Sequence, residues 1–99
     1  MVFISSIMGS IASKDGGRYL YRSTKAALNA SMVSLSLELA PRGVICISLH
    51  PGWVRTGMGG STAALEVTDM AAGIRRLFLG LSRENNGRFY DYTGAEMPW

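Results

Sequence analysis

Apolar positions in the 99-residue chain recur with two different periods, and the switches between them divide it into elements. Val2-Phe3-Ile4 is a short β-branched and aromatic run that stops at Ser5-Ser6. It predicts a buried strand entering a loop, which runs to about Gly17. From Tyr19 to Leu39 the period becomes helical: Tyr21, Lys25, Leu28, Met32, Leu35 and Leu39 fall on one stripe, and Pro41 and Gly43 end the helix. Val44-Ile45-Cys46-Ile47-Ser48-Leu49 is almost uniformly apolar and rich in β-branched residues, as expected of a strand covered on both faces, and it stops at His50-Pro51-Gly52. Strand, helix and buried strand make a βαβ unit, whose right-handed crossover leaves the two strands parallel. Downstream, Thr68 or Asp69 is placed to cap a helix with Met70, Ile74, Leu77, Phe78 and Leu81 on its apolar face and Arg75 and Arg76 outward. The turn Asn85-Asn86-Gly87 leads into a third strand, Arg88-Phe89-Tyr90-Asp91, and Thr93-Gly94 then turns the chain toward Trp99. The pattern predicts an α/β fold of about three mainly parallel strands with flanking helices.

The long helix carries a second apolar face. Residues 26–37 contain no charge, and Ala26, Ala30, Val33 and Leu37 lie opposite the main stripe. One face can pack on the sheet; the other needs cover from a second copy, giving a homo-oligomer through residues 26–37, or from a segment upstream.

Composition narrows the function classes. A hydrophobic content of 47% suits one globular domain, and a net charge of +3 spread over scattered Lys and Arg gives no basic block for nucleic acid. No apolar run approaches the ~20 residues of a membrane span, and Met-Val-Phe-Ile is no signal peptide, so no membrane partner is expected and the default compartment is cytoplasmic. Cys46 has no disulfide partner and His50 no companion ligands, so no metal is expected and His50 reads as structural. Asn29-Ala30-Ser31 matches a glycosylation sequon, but its helical setting makes it a chance match.

Ligand crevices in open α/β sheets lie beyond the carboxyl ends of the strands. Ser5-Ser6 and Pro51-Gly52 converge there, with Tyr21 and Lys25 one turn apart near the start of the intervening helix. A tyrosine can protonate a developing alkoxide at neutral pH when a cation favours its ionised form. At ~6 Å and an effective dielectric of ~20 the attraction is roughly 2.8 kcal/mol, about two pKa units, against roughly 0.7 kcal/mol in open water. Such chemistry needs a closed cleft. A neighbouring serine hydroxyl can hold the carbonyl oxygen where charge develops.

A bare Tyr-x-x-x-Lys occurs in many helices, but its setting here resembles the short-chain dehydrogenase/reductase superfamily. The matching segments are Ile4-Ser5-Ser6, Tyr21-Arg22-Ser23-Thr24-Lys25-Ala26-Ala27 and Pro51-Gly52-Trp53-Val54-Arg55-Thr56. Leu49-His50-Pro51-Gly52-Trp53-Val54-Arg55-Thr56, Gly87-Arg88-Phe89-Tyr90-Asp91-Tyr92 and Met97-Pro98-Trp99 resemble the branch holding sniffer-type carbonyl reductases and C-factor-like proteins. The resemblance implies the C-terminal part of a doubly wound Rossmann-type fold and an NAD(P)-dependent oxidoreductase acting on a small carbonyl or alcohol, with NADP favoured over NAD. It makes Tyr21 the general acid/base, Lys25 the cation that supports it and binds the nicotinamide ribose, and Ser6 the substrate-orienting serine. Pro51, Gly52, Val54 and Thr56 would cradle the nicotinamide, with the Val54 backbone at the carboxamide. Residues 57–65 would cover the substrate, and Trp53 and Met58 would shape its pocket.

Departures from the family pattern set the remaining expectations. Fourteen residues separate Ser6 from Tyr21, a longer loop than the family's commonest, and Ser5, Ser10 and Ser13 stand as substitutes for Ser6. Thr24 replaces the usual serine before the lysine, and Gly57 the aspartate that often follows the threonine. A Gly-rich dinucleotide fingerprint and the Asn-Asn-Ala-Gly segment are missing, and Gly57-Met58-Gly59-Gly60 does not fit the former. The chain is therefore expected to be a single partial domain, the catalytic C-terminal portion of the fold, with the dinucleotide-binding half and the family's catalytic asparagine upstream of Met1. The alternatives are a non-enzymatic, C-factor-like signalling or interaction protein and a sugar-nucleotide epimerase or dehydratase. The short tail after Thr56 argues against the last.

Overall fold

A computed structural model of the protein describes residues 1–52 and 66–99. Strand β1 (Val2–Ile4) leads through a 3-10 turn (Ile7–Gly9) and a long loop into helix α1 (Tyr19–Leu39). A 3-10 turn (Ala40–Arg42) precedes strand β2 (Ile47–His50). Helix α2 (Val67–Leu79), a 3-10 turn (Arg83–Asn85) and strand β3 (Arg88–Asp91) follow. The sheet has the order β1-β2-β3, with both pairings parallel. Val2 faces Ile47 in the first ladder, and Ile47 faces Arg88 in the second. All three strands thus present their carboxyl ends to the same edge, the fold class expected from the sequence.

Helix α1 has the bounds its periodicity predicts. Gly17 and Arg18, both with positive φ (74° and 52°), swing the chain into it, and Gly43 (φ 76°) closes its exit by donating its N–H to Ala40 O at 2.9 Å. Met32 is fully buried on the predicted stripe, together with Cys46 just ahead of β2 and Ile47, Leu49 and Phe89 from the sheet. The opposite face stays open among the described residues: Ala30 is exposed and Leu37 is 72% exposed.

Four expectations change. Strand β2 begins at Ile47 rather than Val44, because the groups before it bond elsewhere: Met1 N donates to Ile45 O at 2.6 Å, Cys46 N to Asn86 Oδ1 at 2.8 Å, and Gly87 N to Cys46 O at 2.8 Å. Strand β1 is only half-buried, with Ile4 exposed, since it pairs on one side alone among the described residues. Helix α2 starts at Val67 with Glu66 in the capping position, ahead of Thr68 and Asp69. Asp69 then sits in the first helical turn, where a carboxylate favours the positive end of the helix dipole. Phe78, expected on the covered face, is 43% exposed, whereas Gly73 is the buried contact of this helix.

The third strand and the tail match expectation and form one unit. Gly94 (φ 89°) reverses the chain, and Asp91 Oδ1 accepts from the N–H groups of Thr93 at 2.9 Å and Ala95 at 3.2 Å. Met97 N donates to Phe89 O at 2.7 Å, and the rings of Phe89 and Trp99 stack 5.5 Å apart.

Candidate active site

The site begins where β1 ends. Ser5 N donates to Leu49 O at 2.8 Å, one step beyond the last strand pairing, and its buried hydroxyl has no partner. Ser6 is also buried, and its Oγ accepts from Met8 N at 3.1 Å, capping the turn Ile7–Gly9. Gly9 is the point at which this turn meets α1: a Cβ there would come within 2.9 Å of Lys25 Cβ and 3.1 Å of Asn29 Nδ2. Only a residue without a side chain permits that approach.

Helix α1 brings Tyr21 and Lys25 to the same edge. Lys25 Nζ donates to Ile4 O at 3.1 Å, tying the helix to the last residue of β1. It also lies 5.7 Å from the centre of the Tyr21 ring. Tyr21 is 46% exposed, so the phenol opens outward instead of joining the core. From β2, His50, Pro51 and Gly52 reach this edge, all half-buried, and Gly52 has the left-handed φ of 85°.

His50 links the two strand ends. Ile7 N donates to its Nδ1 at 3.1 Å, which requires the neutral ring with its proton on Nε2. Desolvation holds its pKa below the ordinary 6.5, while Asp91, its partner in the β2–β3 register, opposes that shift. A neutral, accepting imidazole thus joins β2 to the serine turn.

Of the residues expected at the site, Ser6, Tyr21, Lys25, Pro51 and Gly52 gather at the carboxyl edge of the sheet. Ser10, a possible substitute for Ser6, is occupied elsewhere: its Oγ donates to Pro98 O at 2.8 Å and Trp99 O at 3.2 Å. Trp53, Val54, Thr56, Met58 and the expected covering segment 57–65 lie outside the described residues. Among the described residues no group of His, Cys, Asp or Glu is arranged to hold a metal ion, and no helix is long and apolar enough to cross a membrane. Asn29 of the sequon is 3% exposed.

Two contributors escaped sequence reasoning. One is His50 as an acceptor for the serine turn, and the other is Arg22, which donates to backbone carbonyls of the long loop. A clue was present for Arg22: a long structureless loop needs partners for its backbone groups, and an arginine at the start of the next helix offers five donors.

Known proteins share this fold. The family model described as short chain dehydrogenase matches residues 1–66. C-signal of Myxococcus xanthus is 50% identical over 97 residues, covering 97% of this chain and 58% of that protein. The carbonyl reductase Sniffer of Drosophila melanogaster superposes with a TM-score of 0.91 at 46% identity, covering 99% of this chain and 41% of that one. The NADPH-bound carbonyl reductase from chicken fatty liver gives 0.90 at 34% identity, covering 99% and 42%. The chain thus spans between 41% and 58% of the length of these relatives. The parallel sheet, the Tyr21–Lys25 pair at its carboxyl edge and the matched residues place this chain in the short-chain dehydrogenase family.

Proposed function

We propose that these 99 residues are the catalytic C-terminal portion of an NADP-dependent carbonyl reductase, and that the part of the fold holding the adenine end of the cofactor lies outside them. The observation that carries this reading is the Lys25 ammonium, anchored on Ile4 O and lying 5.7 Å from the Tyr21 ring centre at the strand ends. The residues fit a nicotinamide nucleotide. Lys25 has three N–H donors and spends one on Ile4 O, leaving donors for ribose hydroxyls. Gly52, with its left-handed φ, lets backbone approach a flat ring without a side chain between them. Pro51, Val54 and Thr56 would complete that cradle.

When bound, NADPH supplies the hydride that reaches the carbonyl carbon. Ser6 orients the carbonyl oxygen, and Tyr21 Oη gives that oxygen its proton as the C=O π bond breaks, leaving an alcohol. Lys25 offsets the negative charge the phenol oxygen then carries. Trp53 and Met58, outside the described residues, would shape the substrate side. The test is NADPH oxidation with small aldehydes and ketones by the full-length protein that carries these residues. Tyr21→Phe should lower kcat by about 10²- to 10⁴-fold and leave NADPH affinity within a few-fold of wild type. Wild-type turnover in that variant would remove Tyr21 from the chemistry.

A second reading, a non-enzymatic signalling or interaction protein, draws support from the similarity to C-signal and from the open face of α1. It requires a defined oligomer or complex and no saturable NADPH binding by the full-length protein, which light scattering and NADPH fluorescence titration distinguish from the first.

A further inference from the structure

The loop after the candidate serine is long and irregular, yet one side chain gathers it. Arg22 Nε donates to Met8 O at 3.0 Å, and Nη2 donates to Ser10 O at 2.8 Å and Ser13 O at 2.7 Å. Nη1 donates to Asp15 O. The planar guanidinium carries five donors at fixed angles, so it can reach several carbonyls at once; an ammonium on a flexible stem cannot span the same set. These carbonyls belong to a stretch with little regular structure, and each must find a donor or water.

The location gives the contact its meaning. Arg22 follows Tyr21 on the first turn of α1, and the carbonyl it takes from the serine turn belongs to Met8, whose N–H donates to Ser6 Oγ. A short path therefore runs from the Ser6 side chain through Met8 and the guanidinium to the backbone that carries Tyr21. The extra length of the loop is taken up by folding it around Arg22, and the turn stays seated on α1 at Gly9.

We propose that Arg22 is a positioning residue: it clamps the loop from Met8 to Asp15 onto α1 and thereby sets Ser6 relative to Tyr21. The catalytic half of this inference rests on the reductase reading above; the structural half does not. Arg22 touches neither substrate nor cofactor in it.

The test compares Arg22→Leu and Arg22→Lys with the unaltered protein, all in the full-length protein that carries these residues, by amide hydrogen exchange, by the nuclear Overhauser contact between Gly9 Hα and Lys25 Hβ, and by carbonyl reduction at saturating NADPH. In Arg22→Leu, exchange at residues 7–15 should accelerate at least about tenfold while residues 28–36 and 47–50 hold within about threefold. The Gly9–Lys25 contact should weaken. The kcat should fall at least about tenfold and the solvent isotope effect rise, with KM for NADPH unchanged, because misplacing reacting groups costs rate and leaves cofactor binding alone. Arg22→Lys should recover less than half of each loss.

Unchanged exchange across 7–15 would overturn the clamp. A loosened loop with unchanged kcat would overturn its role in setting the site. Full recovery by lysine would overturn the requirement for the fork. Should Arg22→Leu lose protection throughout α1 and β2, Arg22→Lys decides, since loss confined to 7–15 in that variant supports the clamp and loss throughout refutes a local one. Absence of turnover in the unaltered full-length protein that carries these residues would sink the reductase reading, while exchange and the Gly9–Lys25 contact still decide whether Arg22 holds the loop.

Discussion

His50 shows how one proton can govern a contact between strand ends. Its Nδ1 accepts from Ile7 N, so protonating that nitrogen breaks the bond. Burial lowers the pKa in the folded chain below 6.5, and the unfolded chain therefore binds the proton first as pH falls. The stabilisation from neutral His50 is fully present above about pH 6.5 and is lost as pH drops toward and through the folded value. Urea unfolding midpoints should decline over that window. In His50→Asn, where the amide oxygen takes the acceptor's place and does not titrate, this part of the decline should vanish. His50→Leu should cost about 0.5–1.5 kcal/mol at pH 8, the worth of one hydrogen bond, measured by the same melts. Tyr21 and Lys25 were legible as a pair one turn apart, because a helix converts four residues into one turn, and their setting between Ser5-Ser6 and Pro51-Gly52 singled them out. The jobs of His50 and Arg22 were not: both bond to backbone atoms of a loop whose path no periodicity encodes.

At the scale of elements, periodicity located α1 to the residue and failed where two segments compete for the same backbone groups. Val44 and Ile45 read as strand, yet Asn86 takes the Cys46 N–H with its Oδ1 and gives its Nδ2 to Ser36 O at 3.0 Å, bracing the entry to β2 against α1. That brace comes from a turn some forty residues away and leaves no local signature. Helix α2 depends on a similar remote contact. A Cβ on Gly73 would lie 2.3 Å from Tyr92 O, so the helix rests directly on the backbone beyond β3. Alanine there gains about 1 kcal/mol of helix propensity but forces packed backbone apart. The net effect of Gly73→Ala should be a loss of about 1–3 kcal/mol in urea unfolding. Gly80→Ala, whose Cβ would meet only ordinary contacts at 3.7 Å and beyond, should stay within about 0.5 kcal/mol of wild type.

For the whole molecule, the second apolar face of α1 matters most. A groove of about 420 Å³ runs beside it, lined by Ala26, Asn29, Ala30, Val33 and Trp99 among others. Asn29 is buried there with both amide atoms unpartnered, and Leu37 stands open further along the helix. The sequence foretold a face needing cover without saying what covers it, since an uncharged stripe specifies apolarity and no partner. If copies of the chain associate through residues 26–37, Leu37→Arg should shift the mass measured by light scattering toward the monomer while leaving the far-ultraviolet circular dichroism unchanged. An unchanged mass would place any self-association elsewhere.

The tail at the other end of the chain sets the order in which these parts can be completed. Ile11 and Ala12 donate their N–H groups to Trp99 O, and Ser10 Oγ reaches Pro98 O across 88 positions of sequence. Contacts so distant in sequence close late, after the ordering entropy of everything between them has been spent. During synthesis, the helix bearing Tyr21 can form while the serine loop still lacks its outer wall, and that wall arrives only with residues 98 and 99. On the ribosome, the loop around Ser10–Ala12 would therefore take its final shape only after α1, β2 and β3 have been made.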